Sequence, residues 1–180
     1  MDKKIKAMLA ILGFAALLAG AYFAYEALTV RTELPINTVQ QDLQRAPDIT
    51  VLDQNGNEVR LSELIGTAVV LNFWTSWCPA CVQETPYFDA LYREMGGEVR
   101  ILKVNLTDGQ RETQDSALDF VNSRGYAFPV YFDTTGQASG AYGVMAIPMT
   151  FFINAEGYVT SGIRGAATAD SLRLGVESLR

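Results

Sequence analysis

The 180-residue sequence contains no histidine, two cysteines and six prolines, and it has no basic cluster beyond its first few residues. Without histidine there can be no His-dependent catalytic triad and no His-containing metal site, and two cysteines alone cannot complete a tetrahedral zinc site. The scarcity of cysteine also excludes a small scaffold stapled by many disulfides. With 14 Lys plus Arg against 20 Asp plus Glu, the net charge of −6 argues against a nucleic-acid partner, whose binding would rest on neutralised phosphates. What remains is an ordinary composition, 49% hydrophobic and 19% charged, sufficient for one domain with a sizeable core and a targeting segment. Any chemistry must use sulfur, carboxylate, hydroxyl or backbone groups.

Lys3, Lys4 and Lys6 precede an uncharged apolar run over residues 7–25. As a helix, a run of that length reaches roughly 28 Å, close to the hydrocarbon thickness of a bilayer. The positive-inside bias sets residues 1–6 in the cytoplasm, with Glu26 and Glu33 and the rest of the chain outside. A retained anchor is expected, with a cleaved signal peptide as the alternative, since Ala19-Gly20-Ala21 resembles a cleavage site. Residues 26–46 read as a linker, and the domain is expected from Pro47 to the C-terminus.

Within 47–180 strands and helices alternate. Asn55-Gly56 sits between Ile49–Leu52 and Glu58–Leu61, a strong signal of a β-hairpin because both residues tolerate positive φ. The continuous apolar runs Ala68–Trp74 and Val99–Leu106 predict buried strands. Phe88, Leu91, Tyr92 and Met95 recur at helical spacing in a stretch beginning at Cys78, and Pro86 is expected to kink that helix. A helix over Arg111–Arg124, strands at Pro129–Phe132, Met149–Ile153 and Tyr158–Ser161, and a helix over Ala169–Leu179 complete an α/β reading with a central mixed sheet.

Trp77-Cys78-Pro79-Ala80-Cys81 follows the apolar strand and opens the amphipathic helix. At a helix N-terminus, free N–H groups and the positive end of the dipole favour thiolate over thiol. Pro79 suits the first turn, where its missing N–H costs nothing. Cys78, nearer the end and expected to be exposed, would attack a partner disulfide, and Cys81, one turn deeper, would resolve the mixed disulfide. A structural staple is a poorer reading, because a four-residue loop gains only about 2 kcal/mol from closure.

From Pro47 onward the chain resembles the membrane-anchored, extracytoplasmic thioredoxin-like proteins of the bacterial ResA, TlpA and CcmG type, most of all the ResA type. The resemblance is carried by Ala46-Pro47-Asp48 with the Asn-Gly hairpin, by Asn72 through Cys81 (NFWTSWCPAC), by Glu84-Thr85-Pro86-Tyr87, and by Ala141 through Val144 and Ile147 through Ile153. It implies a thioredoxin-like fold with an N-terminal β-hairpin and an inserted strand-helix element. It also implies a thiol-disulfide oxidoreductase that keeps exported thiols reduced, among them the haem-attachment pair of apocytochrome c. Electrons would come from a transmembrane carrier of the CcdA type. No cofactor or metal is implied, and a monomer is expected. By the same resemblance the Cys78–Cys81 pair forms the redox-active disulfide, and Glu84 matches an active-site glutamate. Ile147-Pro148 matches the cis-proline position that offers backbone groups to a substrate, and Trp77 flanks the reactive sulfur. Met149 stands where Thr is common.

Two other functions stay open on the residues alone. Thr75-Ser76-Trp77-Cys78 supplies part of a peroxidatic motif, but Leu71 stands where that motif needs proline. Two thiolates could also hold a soft Cu(I) ion in an assembly module.

Overall fold

In the computed structural model, residues 17–20, 22, 43–95 and 97–179 are described. The chain separates into two compact units, Met1–Asp42 and Leu43–Arg180. In the first, residues 17–20 and 22 are helical, and Leu17, Leu18 and Tyr22 are exposed. The rest of the expected membrane segment, and of the linker as far as residue 42, lies outside the described residues. No helix among the described residues is long and apolar enough to cross a membrane.

The second unit is organised around β3 (Ala68–Trp74) and β4 (Val99–Leu106), whose limits match the two apolar runs of the sequence. They pair in parallel, placing Asn72 beside Lys103 and Trp74 beside Asn105. The other strands are β1 (Thr50–Leu52), β2 (Glu58–Arg60), β5 (Val130–Asp133), β6 (Met149–Ile153) and β7 (Val159–Arg164). Together the seven make one mixed sheet in the order β2-β1-β5-β4-β3-β6-β7. β5 is parallel to β4, whereas β6 runs antiparallel to β3 and β7 antiparallel to β6. This is the thioredoxin-like α/β architecture that the sequence implied.

Alternation along β3 assigns its two faces. Val69, Leu71 and Phe73 join Ile49, Val51, Leu102, Val104 and Tyr142 in one core layer. Val70 joins Phe88, Leu91, Ile101, Phe152 and Leu172, beneath helices α1 (Pro79–Met95) and α4 (Ala169–Glu177). Trp74 packs instead with Cys78, Cys81, Phe120 and Phe128. Asn72, between Val70 and Trp74 and two residues from each, therefore faces α1 with them.

Four local details that the sequence reading did not specify have identifiable causes. At the hairpin only Gly56 takes positive φ, because the Asp53 carboxylate accepts the Asn55 and Asn57 N–H groups, both at 2.8 Å, and shapes the turn itself. The helix expected from Arg111 starts at Gln114 (α2, Gln114–Ser123), capped by the Thr113 hydroxyl on the Ser116 N–H. Its would-be first turn is diverted because Asp108 takes the N–H groups of Gln110 and Glu112. A short helix, α3 (Gln137–Ala141), was not expected; it follows Gly136 at φ 72° and is held by the Ser139 N–H on Asp133. β7 extends beyond Ser161, because its ladder with β6 pairs Phe151 with Gly162 and Met149 with Arg164. Pro86 lies within a helix that continues to Met95.

Gly175 shows how closely α4 approaches the sheet. A Cβ there would lie 2.0 Å from Cζ of the buried Phe152 ring. Gly175→Ala is expected to lower unfolding stability by about 1–3 kcal/mol through overpacking. A denaturant midpoint equal to that of the parent protein would contradict this packing.

Candidate active site

β3 ends at Trp74, residues 75–78 turn at the C-terminal end of this interior strand, and α1 begins at Pro79, the helix position that sequence alone assigned to it. Cys78 and Cys81 are both free thiols. Cys78 is 6% exposed and Cys81 fully buried. The order of accessibility is the expected one, but Cys78 is not openly exposed. Its thiol faces the Ile147 carbonyl at 3.8 Å, so the loop before β6 closes over it. The Cys81 N–H points at the Cys78 sulfur at 3.4 Å, as a helix N-terminal amide should. The Ile147–Pro148 peptide bond is cis. Pro148 is buried and Ile147 partly so, while Trp77 and Pro79, the chain neighbours of Cys78, are exposed.

Glu84 is not a solvated helix carboxylate. It is fully buried one turn beyond Cys81, where its Oε1 accepts the Asn72 side-chain amide at 2.9 Å and its Oε2 the Ala167 N–H at 2.8 Å. Asn72 also donates to the Thr150 hydroxyl at 2.9 Å and accepts from Lys103 Nζ at 2.8 Å. Sheet register makes this possible, because Thr150, Asn72 and Lys103 are neighbours across β6, β3 and β4. The result is a buried polar row across the three central strands β6, β3 and β4.

Lys103 is fully buried. Its ammonium lies 3.9 Å from Glu84 Oε1 and over the rings of Phe88, Trp74 and Phe128, at 4.3, 5.0 and 5.7 Å from their centroids. Burial pulls the Lys103 amine down to about 8, against the pull of Glu84 and the two cysteines. Burial likewise pushes the Glu84 carboxyl above its usual range, partly offset by Lys103, the Ala167 N–H and Asn72. The Cys81 thiol is pushed up too, first by burial, then by its contact with Cys78, with the Glu84 charge a smaller contribution. The Thr75 N–H acts in the opposite direction on that sulfur. Cys81 is thus held as a thiol, in the electrostatic reach of the buried Glu84 carboxyl and Lys103 amine.

Ahead of the pair, the buried Glu112 carboxylate accepts the Ser76 N–H and hydroxyl, both at 2.8 Å, and the Asn105 amide at 2.5 Å. Trp77 is not a core aromatic: it is 40% exposed, with the Arg111 guanidinium 3.4 Å above its ring. Trp74, by contrast, is wholly buried. Asn72, Lys103, Arg111 and Glu112 were not among the residues singled out from the sequence. A charged or amide residue inside each of two apolar strand runs was the available signal for the first two.

Residues 43–161 match the AhpC/TSA family. Among curated proteins, the chain is 39% identical over 124 residues to the thiol-disulfide oxidoreductase ResA of Bacillus subtilis, covering 68% of this chain and 67% of that one. Among solved structures it is similar to StoA from Bacillus subtilis, with a TM-score of 0.63 and 27% identity over 72% of this chain and 96% of that one. It is also similar to the pneumococcal exposed lipoprotein thioredoxin of Streptococcus pneumoniae, with a TM-score of 0.62 and 31% identity over 74% of this chain and 100% of that one. A CxxC pair at a strand-to-helix junction on this sheet, together with these relatives, establishes that the chain belongs to the AhpC/TSA family as a thioredoxin-like thiol-disulfide oxidoreductase.

Proposed function

We propose that the protein is an extracytoplasmic reductant of protein disulfides, tethered by residues 7–25 and acting on exported thiol proteins, apocytochrome c first among them. The observation that carries this reading is the graded accessibility of the two sulfurs, Cys78 at the rim and Cys81 fully buried in the cluster with Trp74, Phe120 and Phe128.

Cys78, as thiolate, attacks one sulfur of the substrate disulfide. That S–S bond breaks, a mixed disulfide forms, and the departing substrate thiolate takes a proton. Cys81 then gives its proton to the ionised Glu84 carboxylate and attacks Cys78; the second substrate sulfur leaves as a thiolate, takes a proton from solvent, and a Cys78–Cys81 disulfide remains. The substrate gains two electrons and the protein loses them. A transmembrane thiol carrier of the CcdA type returns the protein to the dithiol. Ile147 and Pro148 line the approach to Cys78, and their backbone is the edge against which an extended substrate segment lies; Trp77 and Pro79 border the same approach.

The location is supported by the charge asymmetry of Lys3, Lys4 and Lys6 before the apolar run and Glu26 and Glu33 after it. One structural relative is itself named an exposed lipoprotein. The test is capture of clients in cells on Cys81→Ser, which stalls at the mixed disulfide on Cys78. Recovery of an apocytochrome carrying an intact haem-attachment pair supports the haem-maturation client. Recovery of other exported proteins alone assigns the chain elsewhere, and recovery of none overturns the reading.

A further inference from the structure

The segment 107–113 leans on the active-site turn without belonging to the cysteine pair. Glu112 is buried and its carboxylate is consumed by Ser76 and Asn105. Asp108 fixes the same segment by accepting the Gln110 and Glu112 N–H groups at 2.8 and 2.9 Å. Between them Arg111 is exposed, with its guanidinium stacked on Trp77. The backbone on either side of Arg111 is anchored, so the stack is a built feature and not a chance placement of a long side chain.

Stacking occupies the face of a guanidinium and leaves its N–H edges free to bind a carboxylate bidentately. Among the described residues Arg111 has no carboxylate within ion-pair distance; the ion pairs are Arg93–Asp89 and Lys103–Glu84. Asp108 feels the Arg111 charge, but one of its oxygens already holds two N–H groups. The other segments around Cys78, residues 75–83 and 142–148, carry no charged side chain at all. The exposed charges on segments that touch the active-site turn or the Pro148 loop are therefore Arg111, Asp108 and Arg164, and of these Arg111 is the one stacked on the chain neighbour of Cys78. Trp77 is the chain neighbour of Cys78, so a cation on its ring reaches the residues flanking an attacked cysteine.

We propose that Arg111 is a specificity-determining residue that selects protein disulfides flanked by carboxylate side chains. This rests on the disulfide-reductase reading above. The cation acts on docking, so its effect falls on KM and leaves the order of the chemical steps unchanged.

The experiment compares two synthetic peptides containing the same internal disulfide, one flanked by Asp and one by Lys, reduced by the full-length dithiol protein. The ratio of their kcat/KM values is the readout, because it is insensitive to any general loss of activity in a variant. The wild type is expected to favour the Asp peptide by about three- to fivefold, the size of one exposed charge pair, with the preference shrinking at high salt. Arg111→Gln, which keeps a planar group for the stack, is expected to bring the ratio near one. Arg111→Glu is expected to invert it. A wild-type ratio of one, or an Arg111→Glu ratio equal to that of the wild type, overturns the inference while the reductase reading stands. Failure to reduce either peptide, or a neutral dithiol-reducible disulfide, removes both.

Discussion

Cys78→Ser is expected to abolish disulfide reduction, whereas Cys81→Ser performs one attack and then stops. Both follow from the positions of the two sulfurs. Cys78 alone borders the loop at Ile147, and a substrate sulfur has no path to the fully buried Cys81. With serine at 78 no mixed disulfide can form, and multiple-turnover reduction should fall by at least about a thousandfold, as when a covalent nucleophile is removed. With serine at 81 the mixed disulfide forms but has no intramolecular thiol to resolve it, so steady-state turnover falls comparably. The two variants are then separated by mass. Incubation with a disulfide peptide should add one peptide equivalent to Cys81→Ser and none to Cys78→Ser. Equal labelling of both would show that Cys81 can act as the entry sulfur.

The second large effect concerns the buried pair of Glu84 and Lys103. Lys103→Met would leave the Glu84 carboxylate with the Asn72 amide and the Ala167 N–H but no cation. Glu84→Leu would leave the Lys103 ammonium with the Asn72 carbonyl oxygen as its one hydrogen-bond acceptor. Removing one member of a buried ion pair typically costs about 3–5 kcal/mol, and that is the expected loss in each single variant at neutral pH. The double variant should lose less than the two singles together, because neither charge is then left alone. Strict additivity would show that the two groups do not interact.

The same pair gives a pH signature. The Lys103 amine titrates near 8 in the folded chain, against an ordinary value of 10.5. Between those values the unfolded state binds more protons than the folded one, so the contribution of this group to stability rises with pH. The displacement corresponds to about 3 kcal/mol across the window. Cys81 acts in the opposite sense. Its thiol is held above 9.0, so its contribution is full below that pH and is lost as the pH rises beyond it. In a Cys81→Ala background, denaturant unfolding from pH 7 to 10.5 should therefore show rising stability. Lys103→Met should remove that rise, and Glu84→Leu should move it to lower pH, since the attracting carboxylate is gone. A flat profile in the parent would contradict the placement of the amine.

The limits of β3, β4 and β6 were legible in the sequence residue by residue, because a long run of β-branched and aromatic side chains covered on both faces has few alternatives. The start of α1 was legible for a different reason: Pro79 fits the first helical turn and little else there. The start of α2 was not. Arg111 and Glu112 are good helix formers, but Glu112 is drawn into the turn ahead of Cys78, a tertiary demand invisible to local pattern. α3 has too few residues to show a period.

At the site, the cysteine pair and the proline loop were readable from spacing and resemblance. The environment of Glu84 was not, since its partners come from positions 72, 103 and 167, brought together by sheet register and the approach of α4. Asn72 and Lys103 sit inside runs that read as pure core. Only the pairing of β3 with β4 shows that they share a face, and that the face is the one beneath the cysteines.

The most direct measurement is equilibration of the purified protein against graded mixtures of reduced and oxidised glutathione, with thiol content read by alkylation and mass. A single two-electron transition is expected, in which Cys78 and Cys81 lose their free thiols together and form an intramolecular bridge. Two thiols that stay alkylatable across the whole range, or a product carrying glutathione with Cys81 still free, would contradict it.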